Sequence, residues 1–147
     1  MNYKLSARIM LWAVRFCMLA LVALAVFAPK VVQWYVGIRR MEDVLGTVIL
    51  VAFYACTPSV ALALWTMDRL LRRFTKGDVF TRSNVSLIRL ISVCCALVAV
   101  ATICGGIGYT PLWFVSLLMA FLCLAVLVVA QVLDAAAAIR EENDLTI

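Results

Sequence analysis

The stretch Leu70-Leu71-Arg72-Arg73-Phe74-Thr75-Lys76-Gly77-Asp78-Val79-Phe80-Thr81 lies between two long uncharged apolar runs and concentrates positive charge around one short turn. Apolar runs joined by a basic turn predict a membrane-spanning helical hairpin, because cations stop at the edge of hydrocarbon rather than enter it. The same alternation extends outward over the whole chain. Apolar types make up 67% of the 147 residues, charged types 14%, and the mean hydropathy is +1.10. A soluble domain carries about 25% charged residues, so the solvent this composition requires is lipid.

One spanning helix needs about 20 residues, and four apolar runs leave no room for a separate soluble domain. The expected fold is all-α: a single domain over residues 1–147, an integral membrane bundle of four transmembrane helices. The spans are placed at about 9–27, 44–65, 87–107 and 111–132. The first is closed by Pro29. A signal peptide is the rival for it, with a basic start and the small-residue triplet Ala23-Leu24-Ala25. An uncleaved helix is preferred, since the next two dozen residues lead straight into another span. The segment from Lys30 to Asp43 mixes Val31, Trp34, Tyr35 and Ile38 with a charged end and is expected to lie along the interface. Between the last two spans, Gly105-Gly106-Ile107-Gly108-Tyr109-Thr110-Pro111 carries no charge and predicts a tight antiparallel hairpin. Ala135 to Ala138 favour helix strongly, so the fourth span should continue beyond the lipid as a stalk.

Orientation follows from the cations. With four spans, Lys4, Arg8, Arg69, Arg72, Arg73, Lys76, Arg82, Arg89 and Arg140 share one side. Only Lys30, Arg39 and Arg40 fall on the other, and Arg15 lies within the first span. Nine against three predicts that both termini and the basic elbow are cytoplasmic. Trp12 and Trp65 then fall near the inner interface, and Trp34, Tyr35, Tyr109 and Trp113 near the outer one, where amphipathic rings settle.

The composition speaks against several chemistries. There is no histidine, and the six cysteines, Cys17, Cys56, Cys94, Cys95, Cys104 and Cys123, form no C-x-x-C pair and lie in apolar sequence, where they act as small hydrophobes. Cys104, near a span end, is the candidate exception. No nucleophile and base pair is visible, so an enzyme is not expected, and neither is a cofactor or a metal. The net charge of +5 flanks apolar spans and so meets anionic headgroups, with no direct nucleic-acid contact implied.

Three features are left as candidates. Arg15 is an ionisable residue well inside a span, which marks it for function. It follows Arg8 by seven positions on one helix face and can snorkel to headgroups, or pair with Asp68 or Asp134. A proton-coupled four-helix exporter would need an intramembrane acid, whereas all eight acids read as lying at or outside span ends. In the second span, Pro58 cannot donate to the carbonyl of Tyr54, predicting a kink with Thr57 or Ser59 available to bond freed backbone groups, and a kink beside Tyr54 could line a small pocket. Finally, Arg72, Arg73 and Lys76 of the elbow could dock the acidic tail Glu141, Glu142 and Asp144, although an exposed ion pair adds at most about 1 kcal/mol. Leu145 and Ile147 alternate with polar neighbours, a pattern that fits docking in a groove or on a strand edge.

The elbow Lys76-Gly77-Asp78-Val79-Phe80-Thr81 with Asn84 and Leu87-Ile88-Arg89, taken with the ending Glu141-Glu142-Asn143-Asp144-Leu145-Thr146-Ile147, resembles the small bacterial membrane proteins grouped as domain of unknown function 2975. The resemblance implies a multi-pass protein of the bacterial inner membrane, without assigned catalytic residues and often encoded beside a small cytosolic helix-turn-helix regulator. The expected function is therefore a non-enzymatic regulatory or sensory partner of such a DNA-binding regulator. The alternative is a subunit of a small homo-oligomeric transporter or channel, with Arg15 and the Tyr54 to Ser59 region lining its path.

Overall fold

The computed structural model describes the backbone of residues 3–39, 43–75 and 82–145, and the side chains of 8–39, 44–75 and 83–139. These segments form four helices: α1 (Tyr3–Arg39), α2 (Asp43–Thr75), α3 (Arg82–Gly106) and α4 (Pro111–Leu145). All four are long and apolar enough to cross a membrane. Each packs on its neighbour in sequence, and among the described residues α1 does not pack on α3 or α4. The order is thus α1, α2, α3, α4, with α1 and α4 as edges and the α2–α3 connection at the same end as the start of α1 and the finish of α4.

The outward faces are those of a lipid-solvated protein. Trp12, Phe16, Phe114 and Phe121 are all more than 65% exposed, a display of aromatic surface that water would not tolerate across so small a chain. Lipid supplies no hydrophobic drive between helices, so the inner contacts depend on close approach of small residues and on hydrogen bonds. Ala99, Ala130 and Ala137 are buried. The Ser92 hydroxyl donates to the Cys123 carbonyl at 3.2 Å, and that of Ser116 to the Ala99 carbonyl at 3.1 Å. Toward the elbow, Leu70, Val85, Ile88 and Ala130 join α2, α3 and α4 in one cluster, with Phe74 and Leu133 against it.

The uncharged hairpin between α3 and α4 is as tight as expected. Gly108 and Tyr109 both donate their N–H to the Gly105 carbonyl at 3.1 Å. A Cβ on Gly105 would meet Leu112 at 2.8 Å and Ala52 at 3.2 Å, so the small residue is what lets α4 and α2 approach there.

Two expectations are corrected. The first helix does not close at Pro29, and the segment after it is not a separate interfacial element, because α1 runs on to Arg39. Proline at 29 deprives the Ala25 carbonyl of its helical donor, and the Tyr54 hydroxyl of α2 donates to that carbonyl at 2.8 Å. The second concerns Asp68, expected to mark a span exit: α2 runs on for seven residues beyond it, so the helix does not end with the span, and the acid is 5% exposed.

Candidate functional site

Polar side chains gather at the end of the helix row that carries the α2–α3 connection. Asp68 is their centre. Its Oδ2 accepts from Arg72 Nη2 at 2.5 Å, one helical turn on, and its Oδ1 faces Arg15 Nε of α1 at 3.5 Å. The second distance is an ion pair but too long for a good hydrogen bond, and among the described residues no donor hydrogen-bonds that buried oxygen. The arginines remain about half exposed, 49% for the Arg15 side chain and 58% for Arg72.

Bilayer geometry explains why α1 needs this partner. Only 14 uncharged residues separate Arg15 from Lys30, a rise of about 21 Å against a hydrocarbon core of about 30 Å. Arg15 or Lys30 must therefore sit at or inside the lipid edge. A carboxylate on Arg15 lowers the cost of that position.

Further bonds carry the polar set across to α3 and α4. Arg73 Nη1 donates to Ser83 Oγ at 2.5 Å and to Asn84 Oδ1 at 3.3 Å, clasping the last turn of α2 to the first turn of α3. Arg89 Nη2 donates to Asp134 Oδ2 of α4 at 3.0 Å. Of the two acids offered as partners for Arg15, Asp68 takes it and Asp134 takes Arg89. Arg72 and Arg73, singled out as docking cations, both have partners inside the chain. Lys76 and Ile147 lie outside the described residues, as do the side chains of Glu141, Glu142, Asp144 and Leu145.

The residues around Pro58 are dispersed. α2 continues through the proline, the Thr57 hydroxyl donates back to the Phe53 carbonyl at 2.8 Å, and Tyr54 turns to α1. Ser59 borders an apolar groove of about 250 Å³ between α2, α3 and α4, with Met67, Cys94, Cys95 and Met119 on its walls. A second groove of about 380 Å³, nearer the opposite end, is lined by Thr47, Val51, Ala101, Cys104 and Gly105.

At the opposite end the Tyr35 and Tyr109 hydroxyls share a hydrogen bond at 2.8 Å, tying α1 to the α3–α4 turn. That bond, followed by partial burial, raises the Tyr109 hydroxyl above its ordinary value near 10, with Arg39 pulling more weakly the other way. The Arg39 guanidinium lies 5.8 Å from the centre of the Tyr35 ring.

Sequence reasoning missed Asp68 as a buried group, and Ser83 and Asn84 as the partners of Arg73. One signal for Asp68 was present: Arg72 follows it by four residues, the spacing of a helical ion pair. Treating each helix as ending where lipid ends concealed it.

Residues 28–147 match the family model described as "Protein of unknown function (DUF2975)". No curated protein and no solved structure matches the chain.

Proposed function

Since the chain belongs to the DUF2975 family, whose description assigns no activity, we propose its role from its own residues: a non-enzymatic, multi-pass protein of the bacterial inner membrane that regulates or senses through its basic, cytoplasmic end. The observation that carries this is a succession of three polar groups at that end, each joining one helix to the next. Arg15 to Asp68 to Arg72 joins α1 and α2, Arg73 to Ser83 and Asn84 joins α2 and α3, and Arg89 to Asp134 joins α3 and α4. A displacement of the edge helix α1 within lipid would be felt at the elbow, where a soluble partner can reach. By the family resemblance, that partner is a small helix-turn-helix regulator docking on the elbow and on the tail that ends in Leu145 and Ile147.

Membranes containing the chain should retain a purified regulator encoded beside it. Removing residues 145–147 should release it. Equal retention by membranes without the chain rejects the proposal, and retention that survives the truncation rejects docking by the tail.

One observation favours the transport alternative. Asp68 is an acid buried within a candidate span, the kind of group that proton-coupled exporters use. Proton flux into vesicles bearing the chain that vanishes in Asp68→Asn would select this alternative over the regulatory one.

A further inference from the structure

We propose that Arg15 and Arg72, gathered on Asp68, form a binding site for the phosphate of an anionic phospholipid. The inference is independent of the regulatory role. Two guanidinium groups converge on one carboxylate at 3.5 and 2.5 Å, so the trio keeps one net positive charge. The carboxylate is turned inward, with its side chain 7% exposed, while both cations keep about half their surface outward. What faces the membrane is therefore a pair of cations held together by a counter-ion that outside ligands cannot reach. Arginine pairs of this kind suit the oxygens of a phosphodiester, which accept from two forks at once.

The depth is also appropriate. The 24 residues from Val44 to Met67 are uncharged and rise about 36 Å, slightly more than a hydrocarbon core of about 30 Å. Asp68 and its arginines therefore lie at one edge of that core, level with phosphates. Trp12 and Trp65, each three residues from a member of the trio, are 72% and 57% exposed, as interfacial rings are. Exposed Phe16 and Leu19, one turn deeper on α1, offer apolar surface to acyl chains. Free phosphate shares the headgroup chemistry but would leave that surface unused, so a lipid is the ligand.

The full chain, with Trp34→Phe and Trp113→Phe so that Trp12 and Trp65 report, is reconstituted in phosphatidylcholine vesicles. Quenching by a small fraction of brominated phosphatidylglycerol is compared with quenching by brominated phosphatidylcholine. The anionic lipid should quench preferentially. Arg15→Gln/Asp68→Asn/Arg72→Gln, which leaves no lone buried charge, should reduce that preference about five-fold, the worth of one net positive charge at an anionic surface. Lys30→Gln, one charge removed toward the other end, should leave it unchanged. Should the triple variant fail to fold, Arg15→Gln alone must lower the preference. Equal quenching by both lipids, an unchanged preference in a folded variant, or displacement of the brominated lipid by free glycerol phosphate would each overturn the proposal.

Discussion

α1 and α3 are equally greasy to the eye, yet they are held in opposite ways. In its most apolar stretch α3 is 33% buried and α1 only 6%. α3 packs on both sides, and Val98, Ala99 and Thr102 vanish between α2 and α4. α1 has one partner. Its buried and half-buried residues, Leu11, Val14, Met18, Leu21, Ala25, Ala28, Val32 and Tyr35, fall at alternating spacings of three and four along a single seam, with buried Val36 beside the last of them, as in a coiled coil. Three polar contacts pin it, one ion pair and two hydrogen bonds: Arg15 to Asp68, the Ala25 carbonyl to Tyr54, and Tyr35 to Tyr109. In lipid, apolar contact alone gives an edge helix little reason to stay. Polar bonds at defined levels provide both attachment and register.

The contrast can be broken most forcefully at Asp68. Arg15→Gln/Arg72→Gln would leave its carboxylate buried without a cation and should destabilise the chain by about 3–5 kcal/mol, with most of that recovered on adding Asp68→Asn. Detergent-resistant unfolding monitored by circular dichroism would measure it. Equal stability of the double and triple variants would show that Asp68 is solvated rather than paired. The packed side of the comparison is tested by Ala130→Leu. That alanine is 1% exposed in the cluster of α2, α3 and α4, and overpacking there should cost about 1–3 kcal/mol while cysteine cross-links between α1 and α2 form as before.

A smaller effect is expected from Tyr54→Phe, which removes the donor to Ala25. Interhelical hydrogen bonds in lipid average about 0.6 kcal/mol, and the carbonyl orphaned by Pro29 should place this one above that average. Cross-linking between α1 and α2 in the halves away from the elbow should fall. Smallest of all is the Tyr35–Tyr109 bond. The fold favours the neutral Tyr109 hydroxyl, so its contribution is complete below about pH 10 and is lost as pH climbs through the raised value. Tyrosinate absorbance during an alkaline titration should show one late-ionising group that moves earlier in Tyr35→Phe.

Much of this architecture was legible before the structure. Asp68 and Asp134 were both named for Arg15 because helix lengths put them at one level, and Gly105 to Pro111 announced its own turn. Apart from the pair of Arg15 with Asp68, what escaped were the features in which one helix answers a need of another. Pro29 looked like a stop because its missing N–H is local, whereas the Tyr54 hydroxyl that serves the freed carbonyl is 29 positions away. Arg72 and Arg73 looked available because their partners, a buried acid one turn back and two polar residues beyond the elbow, depend on how α2 and α3 are rotated. Tyr54 looked like the wall of a pocket beside the proline, yet it faces α1.

The chain by itself determined four lipid-spanning helices, the tight turn between the last two and the end at which cations gather, because transfer of apolar segments into hydrocarbon is a local free energy that adds along the sequence. Tertiary structure alone decided that α1 is an edge, that Asp68 is buried, and which arginine meets which acid. Those outcomes depend on the rotation and register of one helix against the next, and a change of one residue in either exchanges the entire set of neighbours.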